Sequence, residues 1–410
     1  MKKSYLQVAL STALMAVIYP SYAGISFGNT DDEYGKLTVS GYVRANYQDK
    51  HYGESASDQK IRFDAAQLKL DYEHGPLFGH AEYRCYQYDR LCDFSTLVDG
   101  YVGYKLNKTD QVVAGVQPIP FGPGRFWGNS LYGSMSTTAG LEDVHNLGLN
   151  YHFELPTATK FDVGYFAVDG GSYTGSTQDS GRYTANYVSS DVPNKTDLQE
   201  KNMWVGRVTQ DINLGINGLT TQLGGSYWTS DIENKAASSD GRRHAWALFG
   251  KANYGNLNVT LTGGKNDVTN QDQLNPNQSL MGSYDSEYYV ANKGTFYTAD
   301  VGYTFKNVKQ IGKITPYFMY SQYDKDQDSM KDSIRNIIGV SIDHKQLSLV
   351  AEYIMSKNDP FIGGTQDSLA KGDDNQWNKL LNLTLFSLYT TNFTEPLSYQ
   401  GSAFLKLPKF

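Results

Sequence analysis

Residues 37–48 read Leu37-Thr38-Val39-Ser40-Gly41-Tyr42-Val43-Arg44-Ala45-Asn46-Tyr47-Gln48. Side chains on an extended chain point alternately to opposite sides. As a strand, this stretch therefore sets Leu37, Val39, Gly41, Val43, Ala45 and Tyr47 on one face and Thr38, Ser40, Tyr42, Arg44, Asn46 and Gln48 on the other. One face is apolar and the other wet. Its length also covers the roughly 9–11 residues that a tilted strand needs to cross a bilayer.

Outward from there the pattern recurs to the end of the chain. Further strands are predicted over 61–72, 78–88, 97–106, 111–117, 144–153, 161–168, 203–210, 219–228, 244–254, 257–264, 295–305, 314–323, 334–343, 347–355 and 379–393, which makes sixteen. The second shifts parity at Ala65-Ala66, as a β-bulge causes. Connections after even-numbered strands are short, as at His74-Gly75-Pro76, Gly255-Asn256 and His344-Lys345, while those after odd-numbered strands are longer and rich in Gly, Asn and Asp. The stretches 169–201 and 265–293 show no period and read as loops. Alternating short and long connections, with an even strand count, predict an all-β, antiparallel, up-and-down transmembrane β-barrel. A soluble sandwich or propeller has no reason to alternate. Tyr47, Tyr72, Tyr151, Phe153, Tyr254, Tyr303, Phe305, Tyr389 and Phe393 fall near strand ends on the apolar parity, where aromatic girdles lie.

Residues 1–23 carry Lys2 and Lys3, an apolar segment and Ser21-Tyr22-Ala23, the pattern of a secretory signal peptide. The barrel is then expected over 24–393, with 394–410 as a periplasmic or inward-folded tail. Phe393 ends the last strand on this reading; Phe410 is the alternative, with Pro408 ill placed for a strand.

Composition agrees. The chain has 40 Gly, 32 Tyr, two Cys and a net charge of −7. After the leader it has no apolar run of about 18 residues, so transmembrane helices are excluded. A mildly acidic balance without a basic run argues against nucleic acid as partner. Cys85 and Cys92, in an exported chain, are expected to form one disulfide around 86–91. No further Cys or His stands close enough to suggest a metal, and no cofactor is expected.

Function follows from the wet faces. They carry Arg44, Arg62, Asp64, Lys69, Asp71, His80, Glu82, Arg84, Asp99, Lys105, Asn150, His152, Asp162, Arg207, Gln222, Lys251, Thr298, Asp300, Arg335, Asp343 and Glu352. Sixteen strands enclose an aqueous channel, where eight would be filled by their own side chains. The long insertion 117–143 follows the fifth strand. Three Pro and repeated Gly forbid helix or strand at its start. Phe121, Phe126, Trp127, Leu131 and Tyr132 are too apolar for a loop in water, so it is expected to fold inward onto the wall; packing on top of the barrel or on another subunit is the alternative.

With this leader, this hairpin rhythm, the insertion as third loop and Gly115…Pro120-Phe121-Gly122, the sequence resembles the Gram-negative outer-membrane porins and, more loosely, the phosphate-selective porin O/P-like group. Pro118 and Ile119 stand where that group often has a basic residue, and Arg125 is the nearest cation. The resemblance implies passive uptake of small hydrophilic solutes, anions or carboxylates among them, by a channel that is often trimeric, set among lipid and lipopolysaccharide in the bacterial outer membrane. It further implies a constriction in which Glu142 and Asp143 of the loop face Arg44, Arg62, Arg84 and Arg335 of the wall, with Arg125 and Trp127 as a carboxylate or aromatic-acid site. No enzyme constellation is expected: there is no H-E-x-x-H or Walker loop. The alternatives are a barrel hydrolase using His80, His152 and Ser134, a channel for hydrophobic substrates, and a structural barrel.

Overall fold

The computed structural model describes residues 24–53, 58–175, 180–190, 192–237 and 239–389. The leader 1–23, the closing aromatic at Phe393 or Phe410 and the tail 394–410 lie outside the described residues.

Sixteen strands build the wall: β1 (Lys36–His51), β2 (Asp58–His74), β3 (Leu77–Tyr86), β4 (Phe94–Lys105), β5 (Gln111–Pro118), β6 (His145–Glu154), β7 (Thr159–Asp169), β8 (Leu198–Ile212), β9 (Leu219–Asn234), β10 (Ser239–Tyr254), β11 (Leu257–Thr269), β12 (Lys293–Tyr303), β13 (Gly312–Lys325), β14 (Ser333–His344), β15 (Leu347–Lys357) and β16 (Asn378–Tyr389). Each pairs antiparallel with the next, and β16 returns to β1 from Gly41↔Tyr389 to His51↔Lys379. That last ladder closes the sheet. An open sheet would leave two rows of unpaired N–H and C=O groups, which hydrocarbon cannot solvate.

The alternation is visible in exposure. On β10, Trp246 and Leu248 are exposed while Ala245, Ala247 and Phe249 between and beside them are buried. Trp246 and Tyr254 share the exposed parity of β10. At about 3.3 Å per residue they stand about 26 Å apart along the strand, less along the axis of a tilted one, close to the height of an apolar band between two girdles. Tyr151, Phe153 and Phe161 stack at 5.2 and 5.0 Å along one rim, and Tyr303 meets Phe305 at 4.9 Å.

The bulge expected at Ala65-Ala66 sits one residue earlier, at Asp64. Arg44 pairs with Ala65 and Ala45 with Phe63, so Asp64 has no partner in the ladder. Gly115 in β5 has φ 133°, and an added Cβ there would lie 2.3 Å from the Gly100 carbonyl oxygen.

Two expectations need correction. Several strands run well past their predicted ends: β9 and β10 stay paired out to Asn234↔Ser239, although 219–228 and 244–254 were all that alternation marked. Beyond the apolar band both faces are polar, so hydrogen bonding continues where the period disappears. The stretch 265–293 is also not a plain loop. It holds the hairpin Gln278–Ser283 and Ser286–Ala291, joined by Asn186–Tyr187 into a second sheet of three strands. Gln278–Ser283 is buried at every position, which erases any period of two.

Candidate functional site

The connection between β5 and β6 hydrogen-bonds the buried parity of seven consecutive wall strands, β9 to β15. Pro118, Pro120 and Pro123 remove donors at its start, and Gly122 turns the backbone with φ 68°. The Gly122 N–H donates to Ser226 Oγ of β9 at 2.9 Å, and Lys251 of β10 donates to the Pro123 carbonyl. Asn129 donates its backbone N–H to Asp300 of β12 at 3.0 Å and its side-chain amide to Asn258 of β11 at 2.7 Å. Glu352 of β15, fully buried, accepts from Ser130 Oγ at 2.7 Å and from the Leu131 N–H at 2.9 Å. Apolar packing completes the contact. Phe121 lies 5.5 Å from Trp228 and Trp127 5.7 Å from Phe296, within one buried cluster that also takes in Met135 and Leu141.

Later in the segment, one helical turn (Met135–Thr138) is capped by Ser134, whose Oγ accepts the Ser136 N–H at 3.0 Å, while the Met135 N–H goes to Ser321 Oγ of β13 at 2.9 Å. Arg335 of β14 donates to the carbonyls of Gly133 at 3.2 Å and Ser134 at 3.0 Å, and pairs with Asp359 at 2.7 Å. Arg243 of β10 reaches the Gly140 carbonyl at 3.0 Å and lies 4.0 Å over the Trp228 ring. Glu142 closes the segment on itself by accepting the Trp127 N–H at 2.6 Å and the hydroxyls of Ser134 and Thr137. Burial raises its carboxyl above the usual range, against those three bonds.

A second cluster lies on β1–β4. Arg44 pairs with Asp64, and Arg62 with Asp64 at 3.8 Å. Glu82 receives Arg84 at 2.5 Å, Arg125 at 3.5 Å and Lys69 at 3.6 Å. Arg125 also binds Asp143 at 2.6 Å and Asp99 at 3.4 Å. His145 turns one ring nitrogen to Asp99 at 2.6 Å and the other to Asp143 at 2.8 Å, an arrangement satisfied when both nitrogens carry protons. Burial alone would raise the Asp143 carboxyl. Arg125, with the hydrogen bonds of His145 and Tyr183, outweighs it and holds that group at about 2. Aromatic rings floor the cluster, with Arg84 4.9 Å over Tyr183 and Arg44 5.6 Å over Tyr86.

The expected residues thus fall into two places. Arg44, Arg62, Arg84, Arg125 and Asp143 meet in the second cluster. Arg335 and Trp127 belong to the contact between the segment and β9–β15, and Glu142 ties the segment to itself, each of the three no more than 3 % exposed. Sequence reading overlooked His145, Tyr183 and Arg243. Tyr183 and its neighbours sit in a connection without period. His145 follows Glu142-Asp143 closely enough to have been noticed.

The residues considered for hydrolysis have separate partners: His80 meets Asp71 at 2.5 Å, His152 meets Asp162 at 2.8 Å, and Ser134 bonds Glu142. His80, Glu82 and Asp99 present ligand atoms within 4.8 Å of one another. A metal cation there would confront Lys69, Arg84 and Arg125, which already engage those carboxylates, so the site fits a metal poorly. The expected Cys85–Cys92 disulfide is formed.

No protein-family model matches the chain, and no curated protein matches it in sequence. Solved structures do resemble it. The outer membrane channel DcaP of Acinetobacter baumannii is 13% identical with a TM-score of 0.56, over 88% of this chain and 100% of that one. Salmonella typhi OmpF, solved with daunomycin, is 14% identical with a TM-score of 0.56, over 89% and 100%. Pseudomonas putida OprB is 10% identical with a TM-score of 0.53, over 87% and 94%. At such identities the likeness is one of fold.

Proposed function

We propose that this protein is an outer-membrane porin, a passive diffusion channel for small hydrophilic solutes that prefers anions and carboxylates. The observation that carries the reading is a closed sixteen-stranded barrel whose exposed parity is apolar and whose other parity is crowded with charge. Sixteen strands enclose more space than wall side chains fill, and a charged wall keeps water in it. Its place is the bacterial outer membrane, reached by the leader 1–23, with lipid and lipopolysaccharide around the barrel 24–393 and three copies together.

The segment 119–144 folds inward on this reading, and its bonds to the seven wall strands β9 to β15 support it. Arg335, Trp127 and Glu142 then hold the segment in place, while the constriction is lined by Arg44, Arg62 and Arg84 of the wall and by Arg125 with Asp143 of the loop. The selecting field differs from a simple opposition of acidic loop and basic wall, because Arg125 engages the loop carboxylate. Five basic side chains (Arg44, Arg62, Lys69, Arg84, Arg125) meet four carboxylates (Asp64, Glu82, Asp99, Asp143), and a doubly protonated His145 adds to the excess. That surplus favours anions. Planar-bilayer recording under a salt gradient tests both parts: stepwise conductance is expected, with a reversal potential of anion sign. An absence of steps refutes the channel, and a cation sign refutes the selectivity.

A further inference from the structure

The hairpin Gln278–Ser283 and Ser286–Ala291 springs from the connection between β11 and β12, yet its tip touches β3 and β4. In a ring of sixteen strands those sites are eight places apart, on opposite sides. The tip is fastened there. Tyr88 donates its hydroxyl to the Tyr284 carbonyl at 2.8 Å, and the Tyr284 ring lies 5.9 Å from Tyr86, 6.3 Å from Phe94 and 5.4 Å from Tyr183. Tyr284 and Asp285 donate their backbone N–H groups to the carbonyls of Arg182 at 2.8 Å and Ser180 at 3.0 Å. Nearer the base, Tyr288 donates its hydroxyl to the Thr138 carbonyl at 2.9 Å, which ties the hairpin to the segment already described.

The turn itself points to a purpose for Tyr284. Ser283 pairs with Ser286, so Tyr284 and Asp285 are the two loop residues, with φ of 48° and 60°. Two consecutive left-handed residues are ordinarily Asn-Gly, because a bulky side chain is strained there. Turn geometry disfavours a tyrosine; the aromatic cradle opposite rewards one. That cradle is itself clamped. Tyr86 and Tyr88 lie within the ring closed by the Cys85–Cys92 disulfide, Tyr86 stacks on Phe94 at 5.1 Å, and Cys92 is exposed.

We propose that the hairpin is a strap across the tube, latched by Tyr284, and that the Cys85–Cys92 disulfide holds the cradle, so that thiol reduction frees the strap and widens the channel. The proposal rests on the porin reading. Reduction by a dithiol proceeds by two exchanges. A reductant thiolate attacks one sulfur, forming a mixed disulfide and releasing one cysteine thiolate; the second reductant thiol then closes a cyclic disulfide and releases the other. Two electrons and two protons pass to the protein, which is left with two thiols.

Single-channel conductance, with the largest neutral polyethylene glycol admitted as a second readout, tests this in planar bilayers before and after dithiothreitol. Wild type is expected to shift to larger steps and larger polymers on reduction. The double variant Cys85→Ser, Cys92→Ser should start in the shifted state and ignore the reductant. Tyr284→Gly should do the same while suiting the turn better, so misfolding does not confound it, whereas Tyr284→Phe keeps the ring and should behave as wild type. A conducting wild type whose steps and polymer cut-off are unmoved by reduction overturns the disulfide latch, as does a Tyr284→Gly variant with wild-type steps. A bilayer silent with every variant sinks the porin reading, and this one with it.

Discussion

Replacing Glu352 by alanine asks how the segment 119–144 is kept on the wall. The carboxylate is fully buried and accepts from Ser130 Oγ at 2.7 Å, Tyr317 Oη at 2.8 Å, the Leu131 N–H at 2.9 Å, and the Tyr132 N–H and Asn382 Nδ2 at 3.4 Å. Hydroxyls and the amide can turn toward other acceptors, but the two backbone N–H groups cannot without moving the segment. Each donor left dry costs about 1–3 kcal/mol, so the substitution is expected to destabilise the docked state by about 2–6 kcal/mol. At about 1.4 kcal/mol per factor of ten, local opening should become roughly thirtyfold more frequent at the least. Limited proteolysis of the reconstituted protein would detect it, with cleavage in 126–134 accelerating while the barrel stays intact by circular dichroism. Glu352→Gln, which retains one acceptor, should fall between. Unchanged cleavage in the alanine variant would show that Asp300, Ser321 and Arg335 suffice and that Glu352 is no anchor.

Charge reversal at Arg44 or Arg62 should move the reversal potential toward cation preference; an unmoved potential removes that residue from the proposed constriction. Acid should loosen the segment late. Asp143, held at about 2, contributes stability that is complete above the ordinary aspartate range and is lost as pH falls from about 4 through 2. Arg125→Met should bring that loss to higher pH, as read by protease sensitivity against pH, and coincident wild-type and variant curves would contradict it. Gly115→Ala forces a Cβ to 2.3 Å from the Gly100 carbonyl oxygen and should lower the melting temperature by an amount matching about 1–3 kcal/mol. An unshifted melt would mean that β4 and β5 yield there without cost.

The wall was legible because a strand between lipid and water must alternate, and stretches such as 37–48 or 244–254 carry that rule openly. The count and order of the strands and the place of the long insertion follow from it. The site was legible only in part. Arg44, Arg62 and Arg84 declare themselves by parity, and β1–β3 are neighbours in sequence as well as in the sheet, so their meeting was foreseeable. Arg335 shares their parity but lies on β14, where the carbonyls of the segment claim it, and no parity rule distinguishes an arginine facing water from one facing a loop.

By itself the sequence determined the barrel: period, segment length and alternating connections are local properties, and closure follows from the need to leave no edge in lipid. Only the tertiary structure decided what lies against the buried parity. Glu142 bonding its own segment and Arg125 neutralising Asp143 are contacts inside a stretch with no period, and Tyr284 crossing to Tyr86 joins residues far apart in the chain. Their pairing depends on which stretches pack against one another, a matter of three-dimensional packing that the order of residues does not spell out.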